Sequence, residues 1–296
     1  MIHVTSLQVR SYSLDFLDIS WSIETTNEEI EEYDFFVLRS IDGFAGPYRS
    51  IAGPFYNTFM FRDPDVHMLN KWRQYYYRIK TVHRSTQQEL MTEPAFLEAE
   101  PDRIALELIR RESMLFQEFA GRRAVLFPQL TFGQRCRYCW DLGPKGNTIG
   151  RAVQQNCVSC YDSTFVGGYT TPMLIYIQID PSAKGVQATD LTEHQFVETT
   201  ARMVSYPPVK PKDMIVEAEN KRWRVESVVP TEKLRATIRQ EMKLRQYPKG
   251  DIKYKVPVNY DILAPMSPAR EFTRPMSLQE EQDESPHQWL GSDDEP

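Results

Sequence analysis

Residues 134–172 read QRCRYCWDLGPKGNTIGRAVQQNCVSCYDSTFVGGYTTP and hold all four cysteines of the chain. They form two knuckles, Cys136-x-x-Cys139 and Cys157-x-x-Cys160, with seventeen residues between the pairs. That spacing is the pattern of a four-cysteine zinc site. Each knuckle turns tightly enough to present two sulfurs on one side, and Zn2+ accepts four thiolates tetrahedrally at about 2.3 Å. Gly143-Pro144-Lys145-Gly146-Asn147 is turn material that lets the chain between the knuckles double back as a ribbon. The alternatives are a pair of disulfides or four free thiols. Two pairs at knuckle spacing with no cysteine left over favour one Zn2+ held by Cys136, Cys139, Cys157 and Cys160. A closed four-thiolate shell has no open position for water or substrate, so the expected role is structural.

Working outward, 296 residues predict two or three domains. An apolar content of 41% with 12% aromatics supplies packed cores and excludes a disordered chain. No run approaches the ~18 apolar residues of a membrane span, and MIHVTSLQVRSYS lacks the pattern of a signal peptide. Cysteines used on a metal fit a reducing place of synthesis. The net charge of −6 is uneven: residues 271–296 carry eight acidic groups and one Arg, so the remainder is close to neutral.

Residues 1–99 read as about seven short strands, the mark of a β-sandwich. Ile19-Ser20-Trp21-Ser22-Ile23 alternates apolar and polar, Phe35 to Arg39 runs into the turn signals Asp42-Gly43 and Gly46-Pro47, and Trp72 to Val82 is an aromatic strand. Residues 100–121 predict a linking helix, with Pro101 at its start, Gly121 past its end, and an apolar stripe of Ile104, Leu108, Leu115 and Phe119. It either packs on its own chain as a connector or lines a neighbouring subunit. Residues 122–172 form the cysteine segment, led by the strand Ala124-Val125-Leu126-Phe127. Met173–Ile179 predicts a buried strand, and residues 187–205 have no clear period. From there to 260 the pattern is antiparallel β: a hairpin about Glu219-Asn220-Lys221, a strand with Ile238, Gln240, Met242 and Leu244 on one face, and another with Ile252, Tyr254 and Val256. This predicts a small barrel or sandwich over 173–260. Residues 261–296 are Pro-rich and acidic, an extended arm with Trp289 and Leu290 as hydrophobic hooks for another subunit.

No catalytic constellation is present: there is no G-x-S-x-G, no phosphate loop and no H-E-x-x-H. The five histidines are scattered, Asp63-Pro64-Asp65 is a turn first, and Gly167-Gly168 fits a positive-φ backbone role. The expectation is that the chain is not an enzyme. Residues 210–255 hold thirteen Lys or Arg against seven Asp or Glu. Lys221, Arg222, Arg224, Arg239, Lys243 and Arg245 either face DNA through phosphate contacts or are the solvated faces of strands.

Two resemblances sharpen this. The Trp21 strand, Val37-Leu38-Arg39-Ser40 with Gly43 to Gly53, and Tyr75 to Val82 stand in the order of a fibronectin type III module. Cys157-Val158-Ser159-Cys160 running into Phe165-Val166-Gly167-Gly168-Tyr169 and Pro172 resembles neck, or head-to-tail connector, proteins of tailed bacteriophages. Tyr206-Pro207-Pro208, Pro211-Lys212-Asp213, Ile215 and Arg222-Trp223-x-Val225 resemble the barrel core of head-completion and stopper proteins, where this segment forms a central hairpin. The resemblance spans roughly 120–258. The residue reading as a whole predicts a mainly β chain: a fibronectin III-like sandwich, linking helix, four-cysteine zinc ribbon, small antiparallel barrel and extended acidic tail. The connector resemblance implies a structural virion protein in which the fibronectin-like front and the acidic tail are additions to the minimal connector barrel. It also implies a homo-oligomeric ring around the DNA channel, portal or adaptor and tail-side neck proteins as partners, non-specific contact with packaged DNA, and assembly in the host cytoplasm without a membrane. The other reading is a zinc-ribbon protein that binds nucleic acid or associates with transcription.

Overall fold

The computed structural model describes residues 2–12, 16–26, 28–66, 74–97, 102–141, 151–152, 156–180, 185–189, 192–234, 236–260 and 263. Among them the chain is mainly β. The front module holds β1 (Val4–Arg10), β2 (Leu17–Ile23), β3 (Tyr33–Ser40), β4 (Arg49–Phe55), β5 (Met60–Asp63), β6 (Tyr76–His83), β7 (Glu89–Met91) and β8 (Ala95–Phe96). Then follow α1 (Arg103–Leu115), β9 (Arg122–Phe127), β10 (Trp140–Asp141), β11 (Arg151–Ala152), β12 (Met173–Ile179), β13 (Gly185–Thr189) and β14 (Thr192–Phe196). The chain closes with β15 (Glu198–Val204), β16 (Met214–Glu217), β17 (Arg222–Lys233) and β18 (Ala236–Gln246).

Two antiparallel sheets make the front module, ordered β1-β2-β5 and β4-β3-β6-β7, with β8 also on β6. Period-two alternation turns Ile19, Trp21 and Ile23 of β2 inward against Phe35, Val37, Tyr77 and Ile79 of the other sheet, all buried. Asp63 is buried too. It accepts two bonds from Arg39 Nη1 (2.9 and 2.8 Å) and one from Tyr77 Oη (2.8 Å), and its Oδ1 accepts from Asp65 N, so the Asp63-Pro64-Asp65 stretch is a pinned turn.

Behind it β12, β15, β18, β17, β16 and β9 close into a six-stranded barrel, every pair antiparallel. Alternation fills its interior with Ala124, Leu126, Ile175, Ile177, Ala201, Met203, Ile215, Trp223, Val225, Met242 and Leu244. The interior is therefore a packed core and not a pore. One end is sealed by Gln240, whose amide nitrogen donates to the carbonyls of Val204, Ser205 and Pro207 at 2.9–3.0 Å while its oxygen accepts from Val209 N. The barrel begins at Arg122, because β9 pairs with both β12 and β16. The whole cysteine segment is thus the connection between two adjacent staves.

Two expectations change, and one unassigned stretch gains a structure. The helix packs on the barrel through Ala105, Leu106 and Ile109 against Ile238, while Ile104 (64% exposed), Leu115 and Phe119 (85%) of the expected stripe point outward. The real contact face is rotated about one residue, and its hold is completed by Arg239, which grips Glu112 with bonds of 2.8–3.2 Å. The helix starts from Asp102, whose carboxylate caps Ile104 N at 2.7 Å; Pro101 lies outside the described residues. Residues 252–255 form a 3-10 turn capped by Asp251 in place of the expected strand, burying Ile252 and Val256. Residues 187–205 resolve into the β13–β14 hairpin and stave β15. Of the arm from 261 onward only Leu263 is described, buried beside Val216 and Val256; Trp289 and Leu290 lie outside the described residues.

Candidate metal centre

The four cysteine side chains converge. Cys136, Cys139, Cys157 and Cys160 are free thiols, 0–5% exposed, with sulfurs all within 4.8 Å of one another. Cys139 Sγ lies 3.1 Å from Cys160 Sγ, and Cys136 Sγ 3.8 Å from Cys157 Sγ. Four ligands at about 2.3 Å from a tetrahedral metal have sulfur–sulfur edges of about 3.8 Å. The observed spread brackets that edge, so the cluster can hold one metal ion.

Backbone geometry explains how each knuckle forms. Trp140 N bonds Cys136 O (3.1 Å) and Tyr161 N bonds Cys157 O (2.8 Å), closing the two turns, while Cys136 N bonds Thr164 O (2.9 Å) to clamp one knuckle to the other. Asp162 accepts from Cys157 N at 3.0 Å. The chain after the second knuckle then doubles back through Tyr161, Asp162, Thr164, Gly167 and Gly168, all with φ between 47° and 81°. Gly168 is the position that tolerates nothing larger: a Cβ there would sit 2.7 Å from the Cys160 carbonyl oxygen. Short strands β10 and β11, between the two knuckles in sequence, pair antiparallel; the Gly143–Asn147 turn lies outside the described residues.

Burial pushes the Cys139 thiol well above its ordinary range, and the neighbouring sulfurs of Cys160 and Cys136 push it further; burial also raises Cys160. For Cys136 burial works upward too, but hydrogen bonds from the backbone of Tyr138 and Cys139 outweigh it and leave the thiol below its usual value. Four thiolates this close repel one another unless a metal ion sits between them.

Two cations absent from the sequence expectation stand beside the cluster. The Arg135 guanidinium lies 4.0 Å from the Trp140 ring and 4.2 Å from the Phe165 ring and donates to Thr164 Oγ1 at 2.8 Å. Lys253 donates to the Tyr161 carbonyl. A divalent metal held by four thiolates would carry a net −2 charge, which these two cations would offset. Arg135 adjoins the first knuckle, but Lys253 approaches from ninety-odd residues away, and no local signal marks it.

The cluster is wedged between the modules. Thr26 exchanges backbone bonds with Gly133 (3.1 Å) and Arg135 (3.0 Å), Arg137 reaches Glu29 at 2.7 Å, and Leu130, Phe132 and Phe165 belong to the front core. On the barrel side Tyr169 packs on Phe127, their centroids 6.0 Å apart.

The basic candidates do not form one face. Arg222 is 3% exposed; it donates to Asn220 Oδ1 (3.0 Å) and the Lys253 carbonyl and packs on Tyr254, so its charge is internal, which corrects the expectation of a DNA-facing group. Arg239 is engaged by Glu112, Lys221 pairs with Glu219, and Arg224 approaches Glu226 at 3.6 Å. Lys243 is exposed and Arg245 half-buried on the outer side of β18. Arg222 thus leaves the phosphate-binding expectation, while Lys221, Arg224, Arg239, Lys243 and Arg245 stay at least partly exposed. Among the described residues no helix is long and apolar enough to cross a membrane. Comparison with known protein families gives no match, and comparison with curated proteins gives none either.

Proposed function

We propose that this chain is a structural virion protein of a tailed phage, a neck or head-to-tail connector subunit forming part of a ring around the DNA channel. The observation that carries the reading is the β16–β17 hairpin. Asp213, Ile215 and Arg222-Trp223-x-Val225, the residues of the connector resemblance, fall on this hairpin and its lead-in, with Ile215 opposite Trp223 in the centre of the barrel. Asp213 fastens that lead-in by accepting from Gln129 N (2.8 Å) and Lys210 N (2.7 Å), which ties the barrel to the root of the cysteine segment. A closed barrel stapled to a second β module is a rigid block suited to repeated assembly.

In this reading the metal is one structural Zn2+, the β10–β11 segment is a zinc ribbon, and the sandwich is fibronectin III-like. The strand order β1-β2-β5 against β4-β3-β6-β7 supports the last point. The channel lies between subunits and not within the barrel, Arg224, Lys243 and Arg245 supply its non-specific DNA contacts, and the acidic arm reaches a neighbour. The chain has no catalytic role. The test is native mass spectrometry and electron microscopy of the purified full chain. A closed ring formed without DNA supports the proposal. A monomer or dimer whose nucleic-acid affinity falls steeply with salt refutes it in favour of a zinc-ribbon nucleic-acid-binding protein.

A further inference from the structure

The outer face of α1 is apolar and open to water. Ile104, Met114 and Leu115 are exposed along it, and Phe119 of the turn that follows is the most exposed large apolar side chain among the described residues. Cations around it are in excess. Residues 103–123 carry five Arg and three Glu. Arg110 and Arg111 share the single carboxylate of Glu107 at 2.8–3.0 Å, and Glu112 is taken up by Arg239. Exposed apolar groups flanked by arginine suit a segment that is both hydrophobic and acidic.

The chain carries one such segment. Residues 280–296, which lie outside the described residues, hold seven Asp or Glu and no Lys or Arg. Trp289-Leu290 stands between the acidic groups of 280–284 and those of 293–295. We propose that the outer face of α1 receives residues 280–296 from the arm of a second copy of the chain. Where the arm starts favours the second copy over the chain's own. Leu263, the last described residue, is buried with Val125 and Val216, which alternation turns to the outer side of β9 and β16. The helix packs on β18 and β15. In the ring order β12-β15-β18-β17-β16-β9, β16 stands opposite β15, so the root of the arm and the helix occupy opposite sides of the barrel. The stretch from Leu263 to Trp289 reaches about 85 Å when extended, ample to cross to a neighbour. A donor on one side and an acceptor on the other make a head-to-tail contact, the kind that closes into rings. A second α1 is the poorer occupant, because two arginine-bearing faces repel. The inference rests on the reading of the arm as a contact between subunits and adds the surface that the arm meets.

The test uses full-length chains labelled with 5-fluorotryptophan. The 19F resonance of Trp289, assigned by its absence from labelled Trp289→Ala, should be displaced in the wild type from its position in a free peptide of residues 280–296. The double variant Leu115→Ser/Phe119→Ser keeps the arm but loses the acceptor, and its docking should weaken about a hundredfold, returning the resonance to the free position. Unlabelled Trp289→Ala keeps the acceptor but loses the hook. Added to the labelled double variant, it should displace the resonance again. Arg111→Glu, a change of charge on the same exposed face, should weaken docking severalfold and serves should the double variant unfold. An undisplaced Trp289 resonance in the wild type overturns the inference, and a ring seen alongside it leaves the connector reading standing. A displacement that persists in both helix variants overturns it as well. So does a resonance that added Trp289→Ala fails to move, a result that assigns the face to the chain's own arm.

Discussion

Cys160→Ser should damage the front module although Cys160 is outside it. Removing one thiolate from a four-ligand shell forfeits most of a metal-binding free energy that, for structural zinc, is about 10–16 kcal/mol and is coupled directly to folding. The consequence spreads because the cysteine segment contributes Leu130 (3% exposed) and Phe165 (5%) to the front core. Each is worth about 1.5–3 kcal/mol of burial. A segment loosened by metal loss therefore withdraws about 3–6 kcal/mol from a module whose whole stability is of order 5–15 kcal/mol. At roughly 4 °C or more per kcal/mol for a module of this size, its Tm should fall by about 12 °C or more. The assay is calorimetry of the reduced chain and variant, with metal content measured by mass spectrometry. Wild type should hold one zinc per chain and the variant markedly less. Val158→Ser, in the same knuckle but 55% exposed, should change neither quantity. Reduced wild-type protein without stoichiometric metal, or a Cys160→Ser variant melting like wild type, would refute the reasoning.

Gly168→Ala should cost about 2 kcal/mol or more, from a positive φ of 74° and a Cβ placed 2.7 Å from the Cys160 carbonyl, with weakened metal retention as the second readout. Ile109→Ala should cost about 2–4 kcal/mol in denaturant unfolding, whereas Phe119→Ser should stay within about 0.5 kcal/mol for the isolated chain; equal effects would restore the expected stripe as the packing face. Burial pushes the Asp213 carboxyl up to about 6 from 3.8, against the backbone hydrogen bonds from Lys210 and Gln129. The folded state then holds this proton more tightly than the unfolded chain. The stabilisation is complete below pH 3.8 and is lost as pH rises through about 6, a change of about 3 kcal/mol. The stability difference between wild type and Asp213→Asn should shift by that amount between pH 4 and 7, and parallel curves would contradict the assignment.

Legibility followed the range of the forces involved. Strands with strict alternation, such as Ile19 to Ile23 and Ile238 to Leu244, were readable because one face of each is buried along its whole length. The helix was readable as a helix but not in its orientation. The helix carries apolar residues on both the Ile104, Leu115, Phe119 side and the Ala105, Leu106, Ile109 side; the small Ala105 allows close approach to β18, and the Glu112–Arg239 pair locks that rotation. The segment 252–255 alternates like a strand, but the Asp251 carboxylate bonds Lys253 N and turns it into a 3-10 helix. Arg222 looked like a surface cation. It is internal because residues 253 and 254 fold over it, a contact set by a segment some thirty residues away.

By itself the sequence determined the chemistry of the four-cysteine cluster: four cysteines at knuckle spacing already specify two turns and a four-sulfur shell able to take a metal ion, since ligand type and local turn geometry are short-range properties. It also determined that the chain is mainly β, through period-two alternation. Tertiary structure decided where that centre sits and what it supports. Only barrel closure shows that β9 is a stave, so that the cysteine segment is a connection between neighbouring strands and not a module of its own. Only packing brings Lys253 to the Tyr161 carbonyl beside the second knuckle, and Leu130 and Phe165 into the front core. Closure and packing depend on contacts between residues far apart in the chain, which no local pattern encodes.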